Sequence, residues 1–208
     1  MKNLVSQLSL VARNAERHAD NPEFRADMVA TLRSSVGKMN ELLARLSPRS
    51  SARVQRIESQ PLRPVLSQAI AAKRGDHDVK LLGDAGLCAE FDGPALEQAV
   101  GHLLQNAIEA CSPTLPVTVR VSPRDENVAI AITDQGVGMD SDFLRNRLFQ
   151  PFASSKPGGF GIGAFEARSL IAAMGGRLGV ESRPGKGTTF TILLPAGEPV
   201  TEPIRKRA

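Results

Sequence analysis

Val128-Ala129-Ile130-Ala131-Ile132-Thr133-Asp134-Gln135-Gly136-Val137-Gly138-Met139 is the stretch on which the fold turns. Its first six residues alternate as a strand does, and the strand gives way to a carboxylate followed by two spaced glycines. Such a carboxylate has a specific chemical use. Asp134 can accept a hydrogen bond from the amino group of adenine, whereas guanine would set a carbonyl against it, two acceptors face to face. Gly136 and Gly138 let the backbone approach a base or ribose with no Cβ in the way. Asp and Gly also make ordinary turns, so this segment alone does not decide the matter.

Immediately upstream, Val117–Val121 reads as a second strand, separated by the turn 123–127. Before it lies a long helix, about Pro94–Cys111. There His102 and Asn106, four apart, share one face, while Leu103, Leu104 and Ala107 can face a sheet. The amide oxygen of Asn106 is a suitable hard ligand for Mg²⁺, although a polar residue at a helix edge has the same appearance. Further back come short strands near Val79–Leu82 and Leu87–Phe91, a helix at Leu62–Lys73 and a strand near Val54–Glu58.

Downstream, Gly158-Gly159-Phe160-Gly161-Ile162-Gly163 opens a helix at about Phe165–Met174, preceded by Lys156. Glycines before a helix start offer free N–H groups to an anion, and Lys156 adds a cation for phosphate oxygens. The length of 150–163 suggests a flexible lid; a ligand-free surface loop is the alternative. Strands at about Arg177–Ser182 and Thr188–Leu194 close the pattern, with Thr188 at the mouth of the last. Hairpin strands mixed with helices indicate an α+β sandwich, one sheet with helices on one face.

Composition excludes other classes. Of 208 residues 41% are hydrophobic, enough for a real core. Trp and Tyr are absent, which argues against stacking on single-stranded nucleic acid, and the net charge of +4 is scattered. The two cysteines, Cys88 and Cys111, show no metal spacing, which points to a reducing, cytoplasmic setting. No stretch is long and apolar enough to span a bilayer.

Residues 1 to about 20 and 22 to 46 read as two amphipathic helices, with Asn21 capping and Pro22 in the first turn of the second. A helical hairpin leaves each apolar stripe half covered, so pairing with a second copy into a four-helix bundle is expected; packing on its own chain is the alternative. The Ser-, Pro- and Arg-rich stretch 47–53 reads as a linker, 54–196 as one domain and 197–208 as a flexible tail.

Taken together and in this order, the Asn106 helix, the Asp134 glycine turn, Leu148-Phe149-Gln150-Pro151-Phe152, the glycine lid and Gly185-Lys186-Gly187-Thr188 resemble the nucleotide-binding boxes of sensor histidine kinases. Those belong to the GHKL superfamily shared with gyrase B and MutL. The resemblance covers about residues 50–195 and implies a Bergerat-type ATP-binding sandwich, mixed but mostly antiparallel. It implies Asn106 on Mg²⁺, Asp134 on adenine, Thr188 near the base, His102 beside metal and phosphates, and Lys156, Gly159, Gly161, Ile162 and Gly163 around the phosphates. Glu109 departs from the pattern, standing where many such kinases carry Lys or Arg.

The hairpin resembles the dimerisation and histidine-phosphotransfer element, and also that of kinases linked to PEP-CTERM and exopolysaccharide systems. Met1-Lys2-Asn3 matches the last three positions of the phosphoacceptor motif. The phosphorylated histidine is therefore expected two residues before Met1, and Asn3 could position a water for dephosphorylation. His18 is not a substitute, because Ala19 follows it where the motif has an acid. The resemblance implies a homodimeric two-component kinase relaying phosphate from ATP to a response-regulator receiver domain. Any membrane attachment, at a bacterial inner membrane, is expected to belong to upstream segments. As given, the chain is expected to bind ATP without phosphorylating itself. The rivals are another ATPase or serine kinase of the superfamily, which would lack the hairpin, and an inactive nucleotide-binding dimer module.

Overall fold

The computed structural model describes residues 10, 13–15, 21, 24, 27–32, 54, 56–84, 86–154 and 161–198. The chain divides into two compact units, Met1–Ser51 and Ala52–Ala208. In the first, residues 13–15 and 27–32 are helical. Asn21 caps as its position before a proline predicts: its Oδ1 accepts the Phe24 N–H at 3.4 Å. Asn3, His18, the rest of the expected hairpin, the 47–53 linker and residues 199–208 lie outside the described residues.

The second unit runs β1 (Glu58–Pro61), α1 (Leu62–Lys73), β2 (Val79–Gly83), β3 (Cys88–Phe91), α2 (Gly93–Ala110), β4 (Val117–Arg124), β5 (Asn127–Asp134), α3 (Ser141–Asn146), α4 (Gly163–Ala173), β6 (Arg177–Arg183) and β7 (Gly187–Pro195). The main sheet has the order β2-β4-β5-β7-β6, parallel only between β2 and β4. A second, two-stranded sheet pairs β1 with β3. The mixed, mostly antiparallel main sheet is as expected, with the two-stranded sheet in addition, whereas the strand placed at 54–58 is corrected. Pairing starts at Glu58, opposite Phe91, because the Arg56 N–H is taken by the Asp92 carboxylate at 3.0 Å and not by a ladder. Pro61 then ends β1 and hands the chain to α1.

Alternation sorts the sheet into two faces. Val119, Ile132 and Phe190 form one buried cross-strand row, and Val121, Ile130 and Ile192 the next. Against these rows lie Leu96, Leu103 and Leu104 of α2 and Leu170 and Ile171 of α4, with Leu62 and Leu66 of α1 in the same core. Each such side chain contributes about 1.5–3 kcal/mol by leaving water. Helix α2 packs on α1 and α4 and on β4, β5 and β7, so it is the central beam of the helical layer.

Asp92 starts that beam. Its Oδ1 accepts the Ala95 N–H at 2.9 Å while Oδ2 holds Arg56, and only 5% of the residue is exposed. Asp92→Ala strands two donors at once, the buried Ala95 N–H and the part-buried Arg56 N–H. It is expected to cost about 2 kcal/mol, lowering the thermal midpoint by about 5 °C in a melt followed by circular dichroism.

Candidate functional site

The terminal row of the buried sheet face is polar. Asp134, Thr188 and Ser182 are register partners across β5, β7 and β6. The run of apolar rows thus ends on a carboxylate 3% exposed and a threonine 6% exposed. A buried carboxylate is costly unless hydrogen bonds hold its charge. Asp134 Oδ1 accepts two, from Gly136 N at 2.8 Å and Thr188 N at 3.3 Å. Ser182 ties the row together: its Oγ lies 2.9 Å from Thr188 Oγ1, accepts the Met139 N–H at 2.9 Å and donates to the Gly187 carbonyl at 2.9 Å. A cavity of about 550 Å³ at this end of the sheet is lined by Asp134, Ser182 and Thr188 of this row and also by Thr133, Glu181 and Thr189, register partners that alternate to the other face.

The two glycines after Asp134 are required by close approaches of the protein backbone. A Cβ on Gly136 would land on the Ala110 carbonyl oxygen, and Val137 N donates to that same oxygen at 3.3 Å. The loop is thereby docked on the carboxyl end of α2. Gly138 has φ +66°, and a Cβ there would meet the Arg183 carbonyl. Both close approaches are to protein backbone.

Along α2, positions 102, 106 and 110 share one side, one turn apart. Ala110 meets the Asp134 loop. His102 and Asn106 meet the start of α4: a Cβ on Gly163 would lie 3.6 Å from His102 Nδ1 and 3.8 Å from Asn106 Nδ2. Helix α4 begins at Gly163 with Ile162 as its cap residue, buried and with no side-chain cap bond, and Gly161 presses against the Ala153 backbone. His102 Nε2 lies 2.9 Å from Glu166 Oε2, with side-chain exposures of 22% and 12%. Leu103, Leu104 and Ala107 face the core as the sequence predicts. Glu109 is exposed and accepts from Gln105 Nε2 at 2.8 Å.

The structure therefore forms two clusters, Asp134–Gly136–Thr188 and His102–Asn106–Gly163, on one side of α2 and linked through Ala110. The cavity over Asp134 and Thr188 does not reach Asn106. Lys156 and Gly159 lie outside the described residues. Two members were not found in the sequence, Glu166 and Ser182. Glu166 carried a partial signal, an acid in the first turn after a glycine run. Ser182 carried none. Phe149, half-buried, receives the Arg168 guanidinium 4.8 Å from its ring centroid, fastening that segment to α4.

Residues 91–198 match the family described as histidine kinase-, DNA gyrase B-, and HSP90-like ATPase. Over 93% of its length the chain is 29% identical to the sensor protein KdpD of Mycobacterium tuberculosis, covering 24% of that protein. It is 26% identical over 94% of its length to the sensor-like histidine kinase SenX3 of Mycolicibacterium smegmatis, covering 54% of that protein. The chain thus spans from about a quarter to about half of these relatives. The solved structure of the mycobacterial sensor histidine kinase MprB superposes with a TM-score of 0.61 at 26% identity, over 68% of this chain and 99% of that one.

Proposed function

Since the chain belongs to the histidine kinase-, DNA gyrase B-, and HSP90-like ATPase family and carries a sensor histidine kinase catalytic domain, we propose that its second unit binds Mg·ATP between the two clusters on α2. The full protein then transfers the γ-phosphoryl group to a histidine of its own dimer. One observation carries the reading: a carboxylate, buried and fixed by two backbone N–H groups, stands at the end of a strand beside a cavity.

Each residue has a role that follows from its chemistry. Asp134 takes the adenine amino group, and Thr188 lines the base end with Gly136 and Gly138. At the phosphate end the start of α4, through Gly161, Ile162 and Gly163, offers N–H groups and the positive end of a helix dipole. Lys156 and Gly159 join them on the sequence argument. His102, steadied by Glu166, borders the phosphates. Glu109, already engaged by Gln105, supplies no cation.

The donor set fits Mg²⁺. Among the described residues no group of three or more His, Cys, Asp or Glu side chains could cage a metal. A half-buried amide on α2 matches an ion that binds through few protein oxygens and otherwise through phosphates and water. Asn106 would hold Mg²⁺, and the ion would supply charge neutralisation to the phosphates there. Asn106 orients that end of the nucleotide through its amide oxygen.

From the phosphohistidine the group passes to an aspartate of a response-regulator receiver domain. The N-terminal hairpin supplies the dimer, with residues 47–53 as the hinge and Asn3 assisting dephosphorylation. Attachment to a bacterial inner membrane belongs to segments other than these: among the described residues no helix is long and apolar enough to cross a membrane.

Calorimetric titration tests the binding step. ATP is expected to bind and GTP to bind at least about tenfold more weakly; equal affinities, or no binding of ATP, overturn the assignment. Asn106→Ala is expected to abolish the gain that Mg²⁺ gives to ATP affinity, about tenfold, while binding of metal-free nucleotide is unchanged. Transfer is tested with γ-labelled ATP on the full-length dimer, where acid-labile, base-stable label on histidine is expected.

A further inference from the structure

We propose that Ser182 is a specificity-determining residue that acts through Thr188, by fixing the Thr188 hydroxyl as a hydrogen-bond acceptor toward the nucleotide base. The proposal rests on the ATP reading above and adds to it a residue that does not itself touch the base.

The reasoning is a proton count. Ser182 Oγ has one hydrogen and three neighbours at 2.9 Å. Met139 N can only donate, so Ser182 accepts from it. The Gly187 carbonyl can only accept, so it takes the serine proton. The remaining partner, Thr188 Oγ1, must then donate its own proton to Ser182. All four tetrahedral directions of the serine oxygen are thereby used: its Cβ bond, one donated and two accepted hydrogen bonds. Thr188 is left with lone pairs only for whatever stands before it. Beside it Asp134, linked to Thr188 N, is also an acceptor. The base end of the pocket is acceptor-only, and a purine edge seated there must bring hydrogens. At position 6 an amino group brings two and an oxo group none, the single edge hydrogen of a 6-oxo purine lying on the adjoining N1.

Removing the serine hydroxyl reverses the polarity at one point. In Ser182→Ala the Thr188 proton loses its acceptor and can turn to the ligand, so the threonine becomes able to meet a 6-oxo group. A residue that merely braced the β6–β7 turn would weaken all nucleotides alike.

The test compares affinities for ATP and ITP, which differ at the purine 6-position and the adjoining N1 hydrogen, in the otherwise intact chain. Wild type is expected to favour ATP. Ser182→Ala is expected to narrow the ATP-to-ITP ratio about fivefold or more, and Ser182→Thr, which keeps the hydroxyl, to hold it near wild type. Thr188→Val strips the hydroxyl while keeping the shape. It too is expected to narrow the ratio, and adding Ser182→Ala to it should change nothing further. A parallel fall in both affinities in Ser182→Ala, with the ratio unchanged, overturns the proposal. Should that variant fail to fold in a thermal melt, an unchanged ratio in Thr188→Val overturns it instead. Failure of wild type to bind ATP sinks the nucleotide reading, a separate result.

Discussion

Replacing Asp134 by asparagine is expected to weaken ATP binding about 30-fold, the equivalent of about 2 kcal/mol for a hydrogen bond to a charged group. The substitution is chosen to separate recognition from folding. An asparagine keeps one oxygen to accept from Gly136 N and Thr188 N, at present held at 2.8 and 3.3 Å. Its other terminus is an NH₂, which confronts the adenine amino group donor to donor. The same NH₂ can pair with the carbonyl of guanine, so GTP affinity should fall much less or rise. Titration of both nucleotides, with a melt to show that the fold persists, reads the effect. An ATP-to-GTP ratio equal to that of wild type would place base recognition elsewhere.

Gly138→Ala should have the largest effect on the architecture of the site. At φ +66° an alanine is strained, and its Cβ would collide with the Arg183 carbonyl, which belongs to β6 and cannot swing aside as a flexible side chain can. The loop after Asp134 must lift off the β6–β7 turn. In doing so it gives up the Met139-to-Ser182 bond and the Gly185 N–H that now donates to the Val137 carbonyl at 2.8 Å. Backbone strain and two lost hydrogen bonds together suggest about 3 kcal/mol, a fall of about 6–12 °C in melting midpoint for a unit of this size. ATP affinity is expected to drop more than tenfold alongside. A variant that melts and binds as wild type does would show that the loop is not held as described.

The elements that were legible in the sequence are those whose signal is local and repeated. Helix α1 has the bounds that apolar spacing predicts, and β5 and β7 announce themselves by alternation. Helix α3 was missed because six residues hold less than two turns of periodicity. Its one signal was Asp140, whose Oδ1 accepts from Asp142 N and Phe143 N. Pro123 signals a turn in the sequence, yet the strand continues through it. Beyond Val121, β4 has a partner only in β5, and a residue lacking an N–H is tolerated on such an edge, so the strand runs on to Arg124. The same division holds at the site. Asp134, Gly136, Asn106 and Thr188 each sit in a recognisable string. Glu166 against His102, and Ser182 against Thr188 and Met139, are pairings between distant segments that exist only once the sheet and helices have met.

Asp92 has a mechanical consequence. One of its oxygens grips the chain entering the second unit at Arg56, and the other grips the first turn of α2. There is no slack at this doorway. A pull or twist delivered at Arg56 is expected to reach an 18-residue rod, about 27 Å long, whose far tip bears on the loop after Asp134 and whose flank bears His102 and Asn106. Severing that grip is expected to uncouple the entrance from the rod while leaving the residues of both clusters on α2 unaltered.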